Sequence, residues 1–378
     1  MQRMKDGLRT WIEIDRKAVA RNVKTFRSLL SKKTKLMAVT KSNAYGHSLI
    51  DFAREMEKNK VDWLGVDSVV EGIALRKVGV KLPILVLGYT LPERLPDARE
   101  HALSVSVSTF DALDALIKQK GKHPKFHLKV DTGMHRQGFQ LDELSRVLNL
   151  LQVTHSNLQV SLEGLFTHFA AAKNPSFPAY TQQQLMQFNV WRDTFLKAGF
   201  TFISHAAATS GTLLFPESHF DLVRVGIGLY GYWPSFETGE YLKDRITLVP
   251  VLSWKTRISE LKKLPAGSKI GYDCTETLER ESLVAVCPLG YWHGFSRRLS
   301  SIGQVLVRGK RCRILGRVSM DMITIDVTGI GAKVEDEVVL IGTSGKEHVS
   351  AADMANLDET SYYETLTRIN PLIKRFYV

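Results

Sequence analysis

Hydrophobic residues in the first two-thirds of the chain alternate between short continuous runs and segments with helical spacing. Continuous apolar runs predict buried strands, and apolar residues three or four positions apart predict amphipathic helices. One such helix carries Phe110, Leu113, Leu116 and Ile117, and another carries Leu185, Phe188, Trp191 and Phe195. The predicted strands cover residues 35–40, 63–67, 84–88, 103–107, 125–131, 158–166, 202–205 and 222–225.

This alternation predicts a parallel (β/α)8 TIM barrel, because eight strand–helix units follow one another. A doubly wound sheet is the alternative, and it would carry a glycine-rich phosphate loop after its first strand. The loop after residues 35–40 contains Lys41 and only one glycine, Gly46, so the barrel is favoured. In such a barrel, functional side chains follow the carboxyl ends of the strands.

The last third of the chain has a different pattern. Residues 232–246, with Pro234 and Ser235, are interpreted as a linker. Beyond them, glycine-bounded β-type runs predict a mainly antiparallel β domain, with a helical tail from Ser350. We therefore divide the chain into a barrel domain, 1–240, and a β domain, 241–378, and expect a short strand at 8–14 to pack on the β domain. The predicted strands here are 247–261, 268–272, 282–289, 302–308, 311–317, 322–327 and 337–342.

Composition narrows the class of protein. Hydrophobic residues make up 44% of the chain and charged residues 24%, which is typical of globular proteins. The net charge of +12 is spread along the chain, so no nucleic-acid partner is expected. Three cysteines without paired spacing predict reduced thiols, a cytoplasmic location and no metal site. Residues 1–15 lack a signal-peptide core and the longest apolar run, 82–91, is too short to span a membrane.

The first predicted barrel strand ends at Lys41, in the run Val-Thr-Lys-Ser-Asn-Ala-Tyr-Gly-His at 39–47. A lone lysine at a strand end is usually a surface residue. This run, however, closely resembles the cofactor-lysine motif of bacterial alanine racemases, which are fold-type III enzymes dependent on pyridoxal 5′-phosphate. The resemblance implies that Lys41 bonds to the cofactor and that Tyr45 contacts it.

Two further motifs of the family follow the fifth and sixth predicted strands. Residues 129–138 contain Lys129 and Arg136, and residues 164–170 contain His168. The resemblance implies that Arg136 contacts the phenolic oxygen of the cofactor and the substrate carboxylate. It also implies that Lys129 is the counterpart of a lysine that is carbamylated in some members of the family. His168 is then the histidine that packs against the cofactor ring.

The loops after the seventh and eighth predicted strands resemble the family's phosphate-binding loops. They contain Thr209 in one loop and Gly226 and Ile227 in the other, and Arg224 lies inside the eighth predicted strand. An arginine inside an apolar run needs a partner, because an unpaired buried charge is costly. By resemblance the partner of Arg224 is the pyridine nitrogen, and the phosphate lies on Thr209, Gly226 and Ile227.

The β domain carries the remaining motifs. The resemblance makes Tyr272 a catalytic base, which in the family is supplied by the second subunit of a head-to-tail homodimer. It places Met320, Asp321 and Tyr291 around the substrate, and it makes Tyr363 a phosphate contact.

Two positions depart from the family pattern in or near the expected site. Ala208 stands where asparagine is usual, and His293 stands where aspartate is usual. Ala208 removes a side-chain hydrogen bond near the phosphate, and His293 changes the charge at the mouth of the site.

The resemblance implies an isomerase that interconverts L- and D-alanine by a two-base mechanism, with Lys41 on one face of the substrate and Tyr272 on the other. The D-alanine would serve as a peptidoglycan precursor. Three alternatives are a racemase of serine, lysine or several amino acids, a decarboxylase of the same fold type, and a non-enzymatic carrier of the cofactor. Arg224 argues against a decarboxylase, whose pyridine partner is a carboxylate, and the second domain argues against a carrier.

Overall fold

A computed structural model describes residues 7–119, 122–158 and 162–378. The chain divides into two compact units. The barrel unit comprises Lys17–Ala44 and Leu49–Pro250. The β unit comprises the residues up to Arg16, the short segment Tyr45–Ser48 and Val251–Val378.

The strands are numbered in chain order, and the first, β1 (Thr10–Ile14), belongs to the β unit. The barrel unit holds eight parallel strands in the spatial order β8-β7-β6-β5-β4-β3-β2-β9. Hydrogen bonds from Asp221 N–H to the Ser204 carbonyl (3.1 Å) and from Arg224 N–H to the Ala207 carbonyl (2.9 Å) bring its two outer strands together. These strands are β2 (Lys35–Val39), β3 (Trp63–Val66), β4 (Ile84–Val86), β5 (Ser104–Val107), β6 (Phe126–Lys129), β7 (Leu162–Phe166), β8 (Ile203–His205) and β9 (Leu222–Val225).

This arrangement confirms the predicted (β/α)8 barrel. The prediction for residues 158–166 extended the sixth barrel strand too far toward the amino terminus, because residue 158 ends a helix. Residues 159–161 of that prediction lie outside the described residues.

Amphipathic helices surround the barrel strands, as expected from the apolar spacing. Ala179–Lys197, for example, buries Leu185, Phe188, Trp191 and Phe195. The interpretation of residues 232–246 as a linker is wrong in part, because the Ser235 hydroxyl accepts from Thr238 N–H and caps a helix there. The α-helices are Arg16–Ser28, Leu49–Lys58, Val69–Lys77, Leu95–Glu100, Phe110–Ile117, Leu144–Leu158, Ala179–Lys197, Thr209–Leu214 and Phe236–Leu242.

The β unit is mainly antiparallel, as predicted, and its largest sheet has the order β16-β15-β18-β10-β1-β20, with β19 paired to β18. The smaller sheets are β11-β14-β17 and β12-β13. The predicted strand at 247–261 is instead two strands, β10 and β11. The strands are β10 (Leu252–Arg257), β11 (Glu260–Leu264), β12 (Lys269–Ile270), β13 (Glu276–Thr277), β14 (Ser282–Cys287), β15 (Gln304–Val307), β16 (Lys310–Arg313), β17 (Ile323–Asp326), β18 (Glu337–Ser344), β19 (Glu347–Val349) and β20 (Arg375–Tyr377).

The predicted helical tail is present as two helices, Ala351–Leu357 and Tyr362–Thr367. The final strand, β20, was not predicted, and it pairs in parallel with β1. Within the described part of the chain, no helix combines the length and the apolar character needed to cross a membrane.

Candidate active site

Lys41 lies at the carboxyl end of β2, where the barrel prediction placed it. Its side chain is 40% exposed, and its Nζ forms an ion pair with Asp67 Oδ1 at 3.2 Å. Asp67 directly follows β3, the neighbouring strand, so the two side chains meet because parallel strands end at the same edge. The pair leaves the lysine ammonium at the mouth of the barrel, in reach of solvent.

The backbone after Lys41 has an unusual conformation. Ser42, Asn43, Ala44 and Tyr45 all have φ between 51° and 56°, which is the left-handed region. Among L-residues this conformation costs roughly 1–2 kcal/mol each, and asparagine tolerates it best. Local strain of this kind is concentrated at functional sites, where surrounding contacts enforce it.

Three hydrogen bonds, one of them to a side chain of a neighbouring helix, hold this left-handed turn. Ser42 N–H donates to Glu71 Oε1 at 2.8 Å, and Leu49 N–H donates to Asn43 Oδ1 at 2.9 Å. The Ala44 N–H donates to the Thr40 carbonyl at 2.8 Å. The turn therefore fixes the direction in which the chain leaves Lys41.

Arg224, in the middle of β9, is buried with 3% of its surface exposed. Its Nη1 donates to His205 Nδ1 at 2.8 Å and to the His205 carbonyl at 3.1 Å. Its Nη2 donates to the carbonyls of Thr167 (2.7 Å) and Ala206 (2.9 Å), and it lies 3.3 Å from His168 Nδ1. All five contacts use the Nη atoms, and none of them uses the Nε–H. The two Nη groups of the guanidinium are therefore held in place by hydrogen bonds, and its Nε–H is left for another acceptor.

Lys129, at the end of β6, is also buried, and its Nζ donates to Gln137 Oε1 at 3.0 Å. Burial and the charges of Arg136 and Arg224 lower the pKa of Lys129 to about 8. Lys129, Arg136, Gln137 and His168 line one small depression at this end of the barrel. The lowered pKa makes Lys129 a more nucleophilic amine than an exposed lysine.

His168, which follows β7, is held neutral. Its burial and the charges of Arg224, Arg136, Lys129 and Lys41 lower the pKa of His168 to about 3. These four positive charges lie together at the carboxyl edge of the barrel strands. A site with this charge attracts anionic ligands.

The depressed pKa of His168 predicts a pH-dependent stability. The unfolded chain takes up a proton near pH 6.5 that the folded protein refuses until about pH 3. Stability is therefore full above 6.5 and is lost as the pH falls from there toward 3, by up to about 1.4 kcal/mol per pH unit. Urea unfolding between about pH 5 and 6.5 measures this slope. We expect His168→Gln to reduce this slope by the share of one proton, because His127, His205 and His293, whose pKa values burial also lowers, still contribute.

A matched control for this prediction is His135→Gln, because the His135 side chain is 76% exposed. That variant should keep the wild-type slope. Equal slopes for the wild type and His168→Gln would show that His168 does not contribute to the pH dependence.

Thr209 and Gly226 meet at the ends of the last two barrel strands. Gly226 N–H donates to Thr209 Oγ1 at 3.1 Å, and Ile227 begins a 3₁₀ turn ending at Tyr230. Ala208 occupies the cap position of the short helix that begins at Thr209, and it supplies no side-chain hydrogen bond. The departure at this position thus leaves the first N–H groups of that helix without a side-chain cap.

In the β unit, Tyr45 and Tyr363 come together. Their ring centroids lie 6.2 Å apart, and Tyr362 stacks on Tyr363 at 5.3 Å. Burial raises the pKa of Tyr45 to about 12 and also raises the pKa of Tyr363. Both phenols therefore stay protonated at neutral pH and act as hydrogen-bond donors.

Tyr272 lies on a turn of the β unit that is fixed from both sides. Gly271 has φ +72° and Asp273 has φ 58°, and the Asp273 carboxylate pairs with Arg317 Nε at 2.9 Å. The Tyr272 ring is 68% exposed, and Met320, three residues after Arg317, is 54% exposed. The β unit thus presents these two side chains outward, on two loops joined by an ion pair.

Tyr291 and His293 lie on a 3₁₀ turn beside the same loop. Tyr291 N–H donates to the Ser319 carbonyl at 3.0 Å, and Gly290 N–H donates to His293 Nδ1 at 3.2 Å. Burial lowers the pKa of His293, which keeps it neutral and able to accept this bond, and Asp321 Oδ1 lies 4.0 Å from the same nitrogen. His293 therefore preserves an acceptor for the turn although the aspartate charge is missing.

The structure groups the predicted residues within each unit. In the barrel unit Lys129, Arg136, His168 and Arg224 share one end of the barrel, and Thr209 joins Gly226. Sequence reasoning missed Asp67 and Gln137, although Asp67 is the last residue of a predicted strand and could have been found there. It also gave no role to His205, which contacts Arg224 through both its ring and its carbonyl.

Comparisons with known proteins match both the barrel unit and the β unit to the same family. The family model "Alanine racemase, N-terminal domain" matches residues 14–234, and "Alanine racemase, C-terminal domain" matches residues 251–377. An alanine racemase of Symbiobacterium thermophilum is 41% identical over 98% of both chains. The alanine racemase of Clostridium difficile 630 has a TM-score of 0.91 and 33% identity, covering 98% of this chain and 96% of its own.

A structure described as alanine racemase from Bacillus anthracis with bound L-Ala-P has a TM-score of 0.92 and 32% identity. It covers 98% of this chain and 95% of its own. A barrel and β unit of this kind, matched end to end by racemases, define an isomerase. The chain belongs to the alanine racemase family, which confirms the resemblance seen in its motifs.

Proposed function

We propose that this protein interconverts L- and D-alanine with pyridoxal phosphate, bound at the carboxyl edge of the barrel strands. The observation that carries the cofactor proposal is Arg224, a buried guanidinium whose five contacts all use its Nη atoms. Its Nε–H is the donor for the ring nitrogen. Because arginine does not lose its proton, this contact leaves the nitrogen largely unprotonated.

The other residues fit the charges of the cofactor and the substrate. Lys41 would bond to the cofactor, Arg136 would bind its phenolic oxygen and the substrate carboxylate, and His168 would pack on the ring. The phosphate is bound by Thr209, by the backbone of Gly226 and Ile227, and by the protonated phenols of Tyr45 and Tyr363. Four cations at one strand edge (Lys41, Lys129, Arg136 and Arg224) support this fit with an anionic ligand.

When bound, pyridoxal phosphate withdraws electrons from the attached amino acid and acidifies its Cα–H. The protein supplies one base for each face of the substrate. The amino group of the substrate would replace Lys41 on the cofactor, and the freed Lys41 amine would then take the proton from D-alanine or return it there. The Tyr272 side chain would do the same on the L face, as phenolate when it takes the proton and as phenol when it returns one. A proton removed on one side and returned on the other inverts the configuration.

Tyr272 acts in the site of a second subunit, in a homodimer. The support is its exposure, because a catalytic tyrosine that is 68% exposed needs a partner surface to exclude water. Met320, Asp321 and Tyr291, which lie near it, contact the substrate in the same shared site. The exposed Trp292 and Met322 extend this surface and favour its burial in a dimer.

The cellular setting is also a proposal. Three free thiols, Cys274, Cys287 and Cys312, support a reducing cytoplasm. There D-alanine would be supplied for peptidoglycan. In this proposal the barrel unit, Lys17–Ala44 and Leu49–Pro250, holds the cofactor, and the β unit completes the site of the partner.

The test is direct. The purified protein, supplied with pyridoxal phosphate, is incubated with L-alanine, L-serine or L-lysine, and the enantiomers are separated by chiral chromatography. We expect D-alanine to form fastest, together with a visible absorption band that borohydride abolishes. Faster inversion of serine or lysine would overturn the choice of substrate, and a bound cofactor without inversion would overturn the racemase proposal.

Lys129 carries a separate prediction, carbamylation by carbon dioxide. With a pKa of about 8, about one in ten Lys129 side chains is neutral at pH 7, and the neutral amine is the form that reacts. In buffer with ¹³C-bicarbonate we expect a carbamate carbon signal by NMR. The signal should be absent in Lys129→Met and retained in Lys125→Met, whose lysine is 64% exposed in the wild type. The same signal in Lys129→Met would contradict the assignment.

A further inference from the structure

The interior of the barrel contains polar side chains behind Arg224 that have no part in the proposed steps. Barrel interiors are normally filled with branched apolar side chains. Here His205 and His127 are both fully buried, and they connect Arg224 to Glu163. The contacts run from Arg224 Nη1 to His205 Nδ1 (2.8 Å), from His205 Nε2 to His127 Nδ1 (2.8 Å) and from His127 Nε2 to Glu163 Oε2 (3.4 Å). We call these four residues the imidazole chain.

The chemistry of its two ends fixes the direction of every hydrogen bond in the imidazole chain. Arginine only donates, so His205 Nδ1 accepts. Burial lowers the pKa of His205 and of His127, and both rings are neutral, with one donor and one acceptor each. His205 therefore donates from Nε2 to His127, and His127 points its own Nε2–H at Glu163. That nitrogen has no hydrogen-bond partner elsewhere among the described residues.

Glu163 is an obligatory acceptor at the far end. Burial would raise its pKa, but hydrogen bonds from His127, Lys125 and Ser104 outweigh this and lower the pKa of Glu163 to about 2. Lys125 Nζ lies 2.7 Å from Oε1, and Oε2 accepts from the Ser104 hydroxyl and also faces His127. Glu163 and Lys125 lie at the amino ends of β7 and β6. The imidazole chain therefore begins at the amino edge of the barrel strands and runs through the interior to Arg224.

We infer that Glu163 is a positioning residue for Arg224: it orders the protons of His127 and His205 so that Arg224 meets an acceptor. If the order were reversed, His205 would present Nδ1–H to the Arg224 Nη1–H, and two donors would face each other in a buried site. The Arg224 guanidinium would then rotate away from His205, and its Nε–H would no longer point at the ring nitrogen of the cofactor. The inference rests on the proposed function only for the role of that Nε–H, since the proton order is a property of the protein alone.

Glu163→Gln is the sharpest variant. An amide has one acceptor and one donor, and the Lys125 ammonium claims the acceptor. The amide N–H₂ then faces His127, which favours the reversed order. In the double variant Glu163→Gln, Lys125→Met, no ammonium binds the amide oxygen, so this oxygen can face His127. The original order of the protons on His127 and His205 then returns.

The readout is the ¹⁵N NMR spectrum of protein labelled at its histidines, recorded on the full chain with and without pyridoxal phosphate. In the wild type we expect Nε2–H tautomers for His127 and His205. In Glu163→Gln both should shift toward Nδ1–H, although His205 does not touch residue 163, and the double variant should restore them. Glu55→Gln, another buried carboxylate of the barrel unit, is the control that should change nothing.

Cofactor affinity gives a second readout. Because Arg224 is displaced in Glu163→Gln, the dissociation constant for pyridoxal phosphate should rise by about tenfold in this variant. It should return to the wild-type value in the double variant. An unchanged His205 spectrum in Glu163→Gln would overturn the inference. A shifted His205 spectrum in a protein that never binds pyridoxal phosphate would instead uphold the proton order and overturn the proposed function.

Discussion

Replacing Lys41 with alanine is expected to reduce racemisation by about 10⁴-fold or more, because one side chain provides both the bond to the cofactor and one of the two bases. Chiral chromatography of D-alanine measures the loss. Peptide mapping after borohydride should find the cofactor fixed to the peptide containing residue 41 in the wild type and absent from it in the variant.

The variant should still fold. Lys41 is 40% exposed, and its ion pair with Asp67 is worth about 0–1 kcal/mol, which is the range for exposed pairs. Lys41→Arg is the matched control, since it keeps the charge beside Asp67 but not a primary amine. We expect it to be as inactive as Lys41→Ala. Wild-type turnover in either protein would refute the role of Lys41.

The barrel was predictable because its signal is local and repeated. Residues Leu36 to Val39 form a buried apolar run, and similar runs recur at β3 and β4, while the other barrel strands interrupt the run with polar residues. Lys41, Lys129 and Arg224 could be singled out because a charged residue inside an apolar run or at its end is conspicuous. These features depend on neighbours within about ten residues.

Other features depend on distant parts of the chain and could not be predicted in this way. Strand β20 exists because Arg375 and its neighbours pair with β1, more than 350 residues away in sequence. The left-handed turn at Ser42–Tyr45 contains no glycine, and its conformation is imposed by contacts such as Glu71 on Ser42. Propensity alone argues against such a turn.

Among the site residues, His205 and Glu163 show why motif reasoning falls short. Each lies in a strand, where a polar residue is usually assigned to the solvent face. Only the closed barrel directs His205 toward Arg224, and only the register of β6 beside β7 brings Glu163 to His127. Their relation is therefore a result of packing rather than of sequence spacing.

Tyr272→Phe carries the second large effect. Removing one base should lower kcat/KM by about 10²–10⁴-fold. The loss must be equal in both directions, because L- and D-alanine are equally stable and the equilibrium constant of their interconversion is fixed. Because the ring of Tyr272 is 68% exposed and keeps its shape as phenylalanine, stability and cofactor binding should be unchanged.

Isotope exchange separates the two faces. In heavy water Lys41 should still remove and return the Cα proton of D-alanine, so this enantiomer gains deuterium without inverting in the Tyr272→Phe protein. L-alanine should gain almost none. NMR of the recovered amino acids measures both. Equal deuterium uptake by the two enantiomers would contradict the assignment of Tyr272 to the L face.

Mixed dimers test whether Tyr272 acts across subunits. Lys41→Ala and Tyr272→Phe proteins are each inactive alone, but a hybrid dimer with a shared site has one site containing both native residues. After denaturation and refolding of an equal mixture, half of the dimers are hybrids, so about a quarter of the wild-type rate should return. If both residues came from one subunit, every site in the hybrid would lack one of them and no activity would return. The recovered rate therefore decides whether the exposed face of the β unit completes the partner's active site.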